Sequence, residues 1–181
     1  MTARRAVRPP PPHVREARPA DARAIAAIHV RAWREGYRDL LPAAVLRRLS
    51  IARREAFWRK TLHDRAAEML VAEEQGRLLG WIVVGRSRDA DATASTGELW
   101  AINVDPPAWG RGAGRALWRA GAERLRAGRF STVTLWVLAD NRRARRFYES
   151  LDFAVDGDAQ KHFEMGGVQL VEVRMRRTLE S

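Results

Sequence analysis

The chain has 181 residues and no cysteine, a length that suits one compact domain with a substantial core and a composition that excludes disulfides and thiolate chemistry. Its 33 Lys and Arg against 22 Asp and Glu give a formal net charge of +11, carried almost wholly by arginine because Lys60 and Lys161 are the only lysines. The arginines are dispersed, with no nucleic-acid motif, and no apolar run approaches the roughly 20 residues of a membrane span, so neither polynucleotide nor membrane is expected as a partner and the cytoplasm is the default compartment.

Residues 1–13 carry arginines and the run Pro9 to Pro12 with no apolar stretch behind them, so no signal peptide is expected and the segment reads as a disordered basic tail. Residues 14–18 are short and extended. Pro19, Ala20 and Asp21 then open a helix whose Ile25, Ile28, His29, Ala32, Trp33 and Gly36 share one face, and Leu40-Leu41-Pro42 breaks it. A second helical region over 43–62 carries Leu46, Leu49, Phe57, Trp58 and Leu62, with Ser50 as an internal cap. Strands over 68–74 and 77–85 are joined by a Gln75-Gly76 turn, and 87–96 is polar and loop-like. A strand over 98–104 feeds a glycine-dense turn, a helix over 112–127, a buried strand over 132–138, a helix over 141–151, and strands over 153–157 and 168–177.

The turn carries the most information. Gly110, Gly112 and Gly114 leave backbone N–H groups bare, and the following helix adds its own unpaired N–H groups and the positive end of its dipole, which together make a phosphate cradle. A nucleotide P-loop is excluded because Arg115 and Ala116 stand where Lys and Ser or Thr are needed, and a dinucleotide G-x-G-x-x-G fails because position 115 is arginine.

Val104-Asp105-Pro106 followed by Trp109-Gly110-Arg111-Gly112-Ala113-Gly114 resembles motif A of the GNAT superfamily of acyl-CoA N-acyltransferases, with Trp109 in place of the usual Gln or Arg. Residues 141–153, from Asn141 through Ala144, Phe147 and Tyr148 to Phe153, resemble motif B, with Asp152 at a position that is usually a left-handed glycine closing a helix. The resemblance covers residues 14–178. It implies a single α/β domain with a central mixed, mostly antiparallel sheet of about seven strands flanked by about four helices.

It further implies acetyl transfer from acetyl-CoA to a primary amine of a small molecule or peptide by direct attack in a ternary complex. The absence of cysteine also argues against a thiol-bound acyl-enzyme. By the same resemblance Ile102, Asn103 and Val104 offer main-chain atoms to pantetheine, Trp109 to Arg115 (with Arg111 and Ala113) hold pyrophosphate, and Asn141 is a cofactor ligand. Tyr148 is the acid for the departing thiolate, Glu98, eleven residues before Trp109, is the candidate base, and Tyr37 with Trp33 lines the acceptor pocket. By period two, Trp100 shares a side of its strand with Glu98 and offers it a low-dielectric wall. The histidines show no metal-ligand spacing, so no metal is expected, and a homodimer is allowed. The reading from another class is a non-catalytic acyl-CoA-binding module on the same fold, which would need neither Tyr148 nor Glu98.

Overall fold

The computed structural model describes residues 11–64 and 68–180; most of the tail expected over 1–13 lies outside them. Strand β1 begins at His13, so the sheet starts one residue earlier than the sequence indicated. The described elements are β1 (His13–Glu16), α1 (Ala22–Gly36), α2 (Ala43–Arg47), α3 (Ile51–Asp64), β2 (Glu68–Glu74), β3 (Arg77–Arg86), β4 (Thr96–Val104), α4 (Ala113–Ala127), β5 (Thr132–Leu138), α5 (Arg142–Glu149), β6 (Ala154–Met165) and β7 (Val168–Thr178). The strands form one sheet in the order β1-β2-β3-β4-β5-β7-β6, in which only β4 and β5 run parallel.

Local chemistry accounts for most boundaries. Ser50 ends the region over 43–62 as a single helix and divides it into α2 and α3, its hydroxyl accepting the Arg53 amide at 3.4 Å. Gln75 and Gly76 both have positive φ, 50° and 75°, the two-residue turn whose twist suits a hairpin. Asp152 closes the α5 segment at φ 62°, as its motif position requires.

Strand β6 corrects the expectation. It runs over twelve residues instead of ending near 157, resuming its pairing with β7 after an irregularity between Val155 and Gln160. Most of this edge strand is exposed and polar, and only Phe163 and Met165 near its end pack against the α2 cluster, so it lacks the apolar alternation by which a strand is read from sequence.

Helices α1 and α3 cover one face of the sheet, burying Ile25, Ile28 and Trp58 against Val71, Trp81 and Val83. Helices α4 and α5 cover the other, with Leu117, Leu125 and Tyr148 packed on Ile82, Leu99, Leu135 and Met175. A smaller cluster of Leu41, Leu46, Leu138 and Leu170, flanked by Trp33, Tyr37 and Phe163, joins α2 to the β6–β7 hairpin on the α1 side. No described helix is long and apolar enough to cross a membrane.

Candidate active site

The central strands part in the middle of the sheet. The parallel ladder between β4 and β5 has only three rungs, Thr96 with Thr132, Gly97 with Val133 and Glu98 with Thr134. Beyond Glu98, β4 stays with β3 to Val104 while β5 stays with β7 to Leu138. A bulge opposite Val83 and Val84 places Trp100 as the extra residue on β4 at the point of divergence, and such an insertion bends and twists the strand that carries it. The edges of Ile102, Asn103 and Val104 that would have met β5 therefore face a cavity of about 300 Å³.

The glycine loop closes one end of that cavity. Gly110 and Gly112 adopt φ 72° and 93°, conformations that L side chains rarely take. Among the described residues the amides of Gly110, Gly112, Ala113, Gly114 and Arg115 donate to no backbone acceptor, so bare N–H groups gather at the positive end of α4. A Cβ on Gly110 would meet nothing within 4 Å, so it is the left-handed backbone and not crowding that calls for glycine there. A cofactor ending in phosphates fits this cradle.

Trp109, the departure from motif A, has a definite job. Its indole Nε1 donates to the Val104 carbonyl at 2.7 Å, and its ring is covered by the Arg143 guanidinium, whose Cζ lies 3.2 Å from the ring centroid. Both residues line the cavity. Under the loop, the buried Asp105 carboxylate receives Arg31 at 2.8 and 3.0 Å and Arg77 at 3.1 Å, which ties the loop entrance to α1 and β3.

Helix α5 supplies the opposite wall. The Asn141 side chain accepts the Ala144 amide at 3.1 Å as an N-cap and also lines the cavity. Tyr148 lines it too, and burial, with a smaller contribution from Tyr37, pushes its hydroxyl pKa well up, so the group is a retained proton donor. Tyr37 lies across from it; its own pKa is raised by burial and then by the Glu172 carboxylate, with Asn141 pulling the other way.

Three of the residues singled out from the sequence are not brought to the cavity. Glu98 is 3% exposed and does not line it. Its carboxylate accepts the Arg88 amide at 2.9 Å and the Arg88 guanidinium, which also lies over Trp100 with Cζ 4.5 Å from the ring centroid. The wall beside Glu98 is thus a cation carried on an indole, not a bare apolar surface. The loop over 87–95, unpatterned in the sequence, brings that cation in. Arg111 turns away to pair with Glu74 at 3.2 Å. Trp33 stands between His29 and Tyr37 in an aromatic stack, with ring centroids at 5.3 and 4.7 Å, and supports Tyr37 from behind. The sequence in turn did not single out Arg143 and Phe147, both of which line the cavity; the identity of each motif B position was visible, but not the direction it faces.

The acetyltransferase (GNAT) family model matches residues 23–153, a span that runs from α1 through both motifs. An uncharacterized N-acetyltransferase, YuaI of Bacillus subtilis, is 32% identical over 160 residues, covering 88% of this chain and 89% of that one. The chain belongs to the GNAT acetyltransferase family. A mycothiol acetyltransferase of Saccharopolyspora erythraea is 36% identical over 96 residues, which cover 53% of this chain but only 30% of that longer protein. Among solved structures, this GNAT domain superposes on yncA of Salmonella typhimurium, solved with its cofactor acetyl-CoA, at a TM-score of 0.69 with 26% identity and 93% and 94% coverage of the two chains. It superposes on an N-acetyltransferase of Staphylococcus aureus at 0.72 with 22% identity and 93% and 98% coverage. The chain is a GNAT-fold acyltransferase, and its parted strands, glycine loop and motif B helix are the parts of that fold that meet at the cavity.

Proposed function

We propose that this chain transfers the acetyl group of acetyl-CoA to a primary amine of a small molecule or peptide by direct attack in a ternary complex. The observation that carries the reading is that the bare amides of the glycine loop, the unpaired edge of β4 and the Tyr148 side chain all border one cavity. Acetyl-CoA supplies a thioester, an acyl group activated toward amines. The amides of Gly110 and of Gly112 to Arg115 hold its pyrophosphate, Ile102 to Val104 hold the pantetheine arm through main-chain atoms, and Asn141 lies beside them as a cofactor ligand. Tyr148 donates its proton to the departing sulfur.

The test is calorimetric titration of coenzyme A followed by thiol release from acetyl-CoA across a panel of amines. Binding abolished by Gly112→Val, together with amine-dependent thiol release, supports the reading. Binding with no release from any amine would leave a non-catalytic acyl-CoA module.

A further inference from the structure

No residue that lines the cavity carries a carboxylate or an imidazole, although an alkylamine acceptor arrives protonated at neutral pH and must lose a proton before it attacks. The carboxylates nearest in the chain to the cavity residues are mostly committed or solvated: Asp105 to Arg31 and Arg77, Glu98 to Arg88, Glu35 to Arg38, with Asp140 on the surface. Glu172 is the exception. It pairs across the sheet with Leu138, the last residue of β5, and with Lys161 of β6, so its side chain stands on the α1 side of the sheet where β5 has parted from β4. It is only partly exposed, and among the described residues its carboxylate has no hydrogen-bond or ion-pair partner within reach. Glu172 is not itself among the residues that line the cavity, but Leu138, its partner across the ladder, and Leu170, two residues before it on β7, share one side-chain cluster with Tyr37, which does line the cavity beside Asn141 and Tyr148. The Glu172 carboxylate, after burial, helps to raise the Tyr37 hydroxyl pKa.

We infer that Glu172, and not Glu98, is the carboxylate that receives the acceptor's ammonium group and takes its proton. This rests on the acetyl-transfer reading above. One proton of the ammonium passes to Glu172, the freed lone pair forms the new C–N bond as the C–S bond breaks, and the electron pair left on sulfur takes the Tyr148 proton. Tyr148 recovers a proton from the nitrogen as it sheds its second hydrogen, and Glu172 returns its own to solvent. The charged and titratable groups that face Glu172 are Tyr37 from α1, Lys161 from β6 and Arg174 two residues along β7. Burial raises the Glu172 pKa against the pull of Lys161, which makes the carboxylate a better base than a solvated one while it stays ionised above that raised value. Lys161 is drawn off to Asp89, 3.1 Å away, and lies over the Trp136 ring, so it does not neutralise the carboxylate.

The experiment measures kcat/KM from pH 6 to 9.5 for wild type, Glu172→Gln and Glu172→Asp with n-butylamine, phenethylamine and glycinamide as acceptors, and the affinity of the same amines for the coenzyme A-loaded protein by calorimetry. Expected for Glu172→Gln is a loss of roughly 10²–10⁴-fold at neutral pH that shrinks as rising pH deprotonates the amine in solution, with weaker amine binding and unchanged coenzyme A affinity. Glu172→Asp, which keeps a carboxylate one methylene further back, is expected to retain the acid limb of the profile at reduced kcat, and it serves alone if the glutamine variant does not fold. An active wild type with Glu172→Gln matching it at every pH, or falling below it by the same factor at every pH, overturns the inference and leaves acetyl transfer standing, as does a Glu172→Asp variant that has lost the acid limb. A wild type that acetylates none of the three amines overturns both.

Discussion

The ring of Phe147 occupies the space that a side chain on Gly114 would need: a Cβ built there would lie 3.0 Å from both Cε2 and Cζ of the ring. The contact couples the helix that follows the glycine loop to the motif B helix and fixes the spacing of two walls of the cavity. Gly114→Ala is therefore expected to push the ring aside, costing about 1–3 kcal/mol as overpacking, offset in part by up to about 1 kcal/mol from replacing a helical glycine. Coenzyme A affinity should fall with it. Gly114→Ala combined with Phe147→Leu should recover more of both than independent sites allow, and a double-mutant cycle by calorimetry and thermal melting measures the coupling; additive effects would mean that the two helices are not coupled through this contact.

Tyr148→Phe removes one hydroxyl and keeps the ring packed on Phe153, 6.0 Å between centroids. Coenzyme A affinity should stay the same while kcat falls roughly 10²–10⁴-fold, the usual range for a lost general acid. Because burial raises the hydroxyl pKa above its usual value near 10, the wild-type rate should show no alkaline decline from Tyr148 ionisation up to about pH 10. Unchanged turnover in the phenylalanine variant would make Tyr148 a core residue only.

The regular frame was legible because its signals are local: the Gln75-Gly76 turn, the apolar run over 132–138 and the cap at Asn141 each need only a few neighbours in sequence to be read. The glycine loop was legible for the same reason. What escaped was set by tertiary contact. The bulge at Trp100 has no composition of its own, and Arg88 reaches Glu98 from a polar loop without a pattern. Glu172 carries no signal in the sequence at all, since its surroundings come from β5, β6 and α1, which only the sheet order brings together.

His29 is 5% exposed, stacked between Trp33 and Trp81, and neither ring nitrogen has a partner among the described residues. Burial, reinforced by the Arg54 cation, holds its pKa down to about 4 from the ordinary 6.5. The folded state thus binds this proton less readily than the unfolded chain, and the stability linked to it is complete above about pH 6.5 and is lost as pH falls toward 4, by up to about 3 kcal/mol. Thermal melting across that window should show the loss. His29→Leu should flatten it without touching stability at pH 8 by more than a core swap of similar volume costs, about 1.5 kcal/mol. An equally steep fall in the leucine variant would place the acid sensitivity elsewhere.

The Arg88–Glu98 pair separates two readings of Glu98. Its carboxylate is buried and accepts both the amide and the guanidinium of Arg88, while the arginine side chain is 61% exposed. Glu98→Gln leaves an amide oxygen to accept the Arg88 amide and sets the guanidinium free to turn to water, so no charge is stranded in the interior. The cost is one charge-assisted contact, about 1–3 kcal/mol, seen as a lower Tm. Because Arg88 occupies the carboxylate and the cavity lies further along β4, kcat/KM should change by less than about tenfold at any pH. A deficit of 10²-fold or more at neutral pH that closes as the amine deprotonates would instead make Glu98 the proton acceptor, with Arg88 as a gate that swings aside when the acceptor binds.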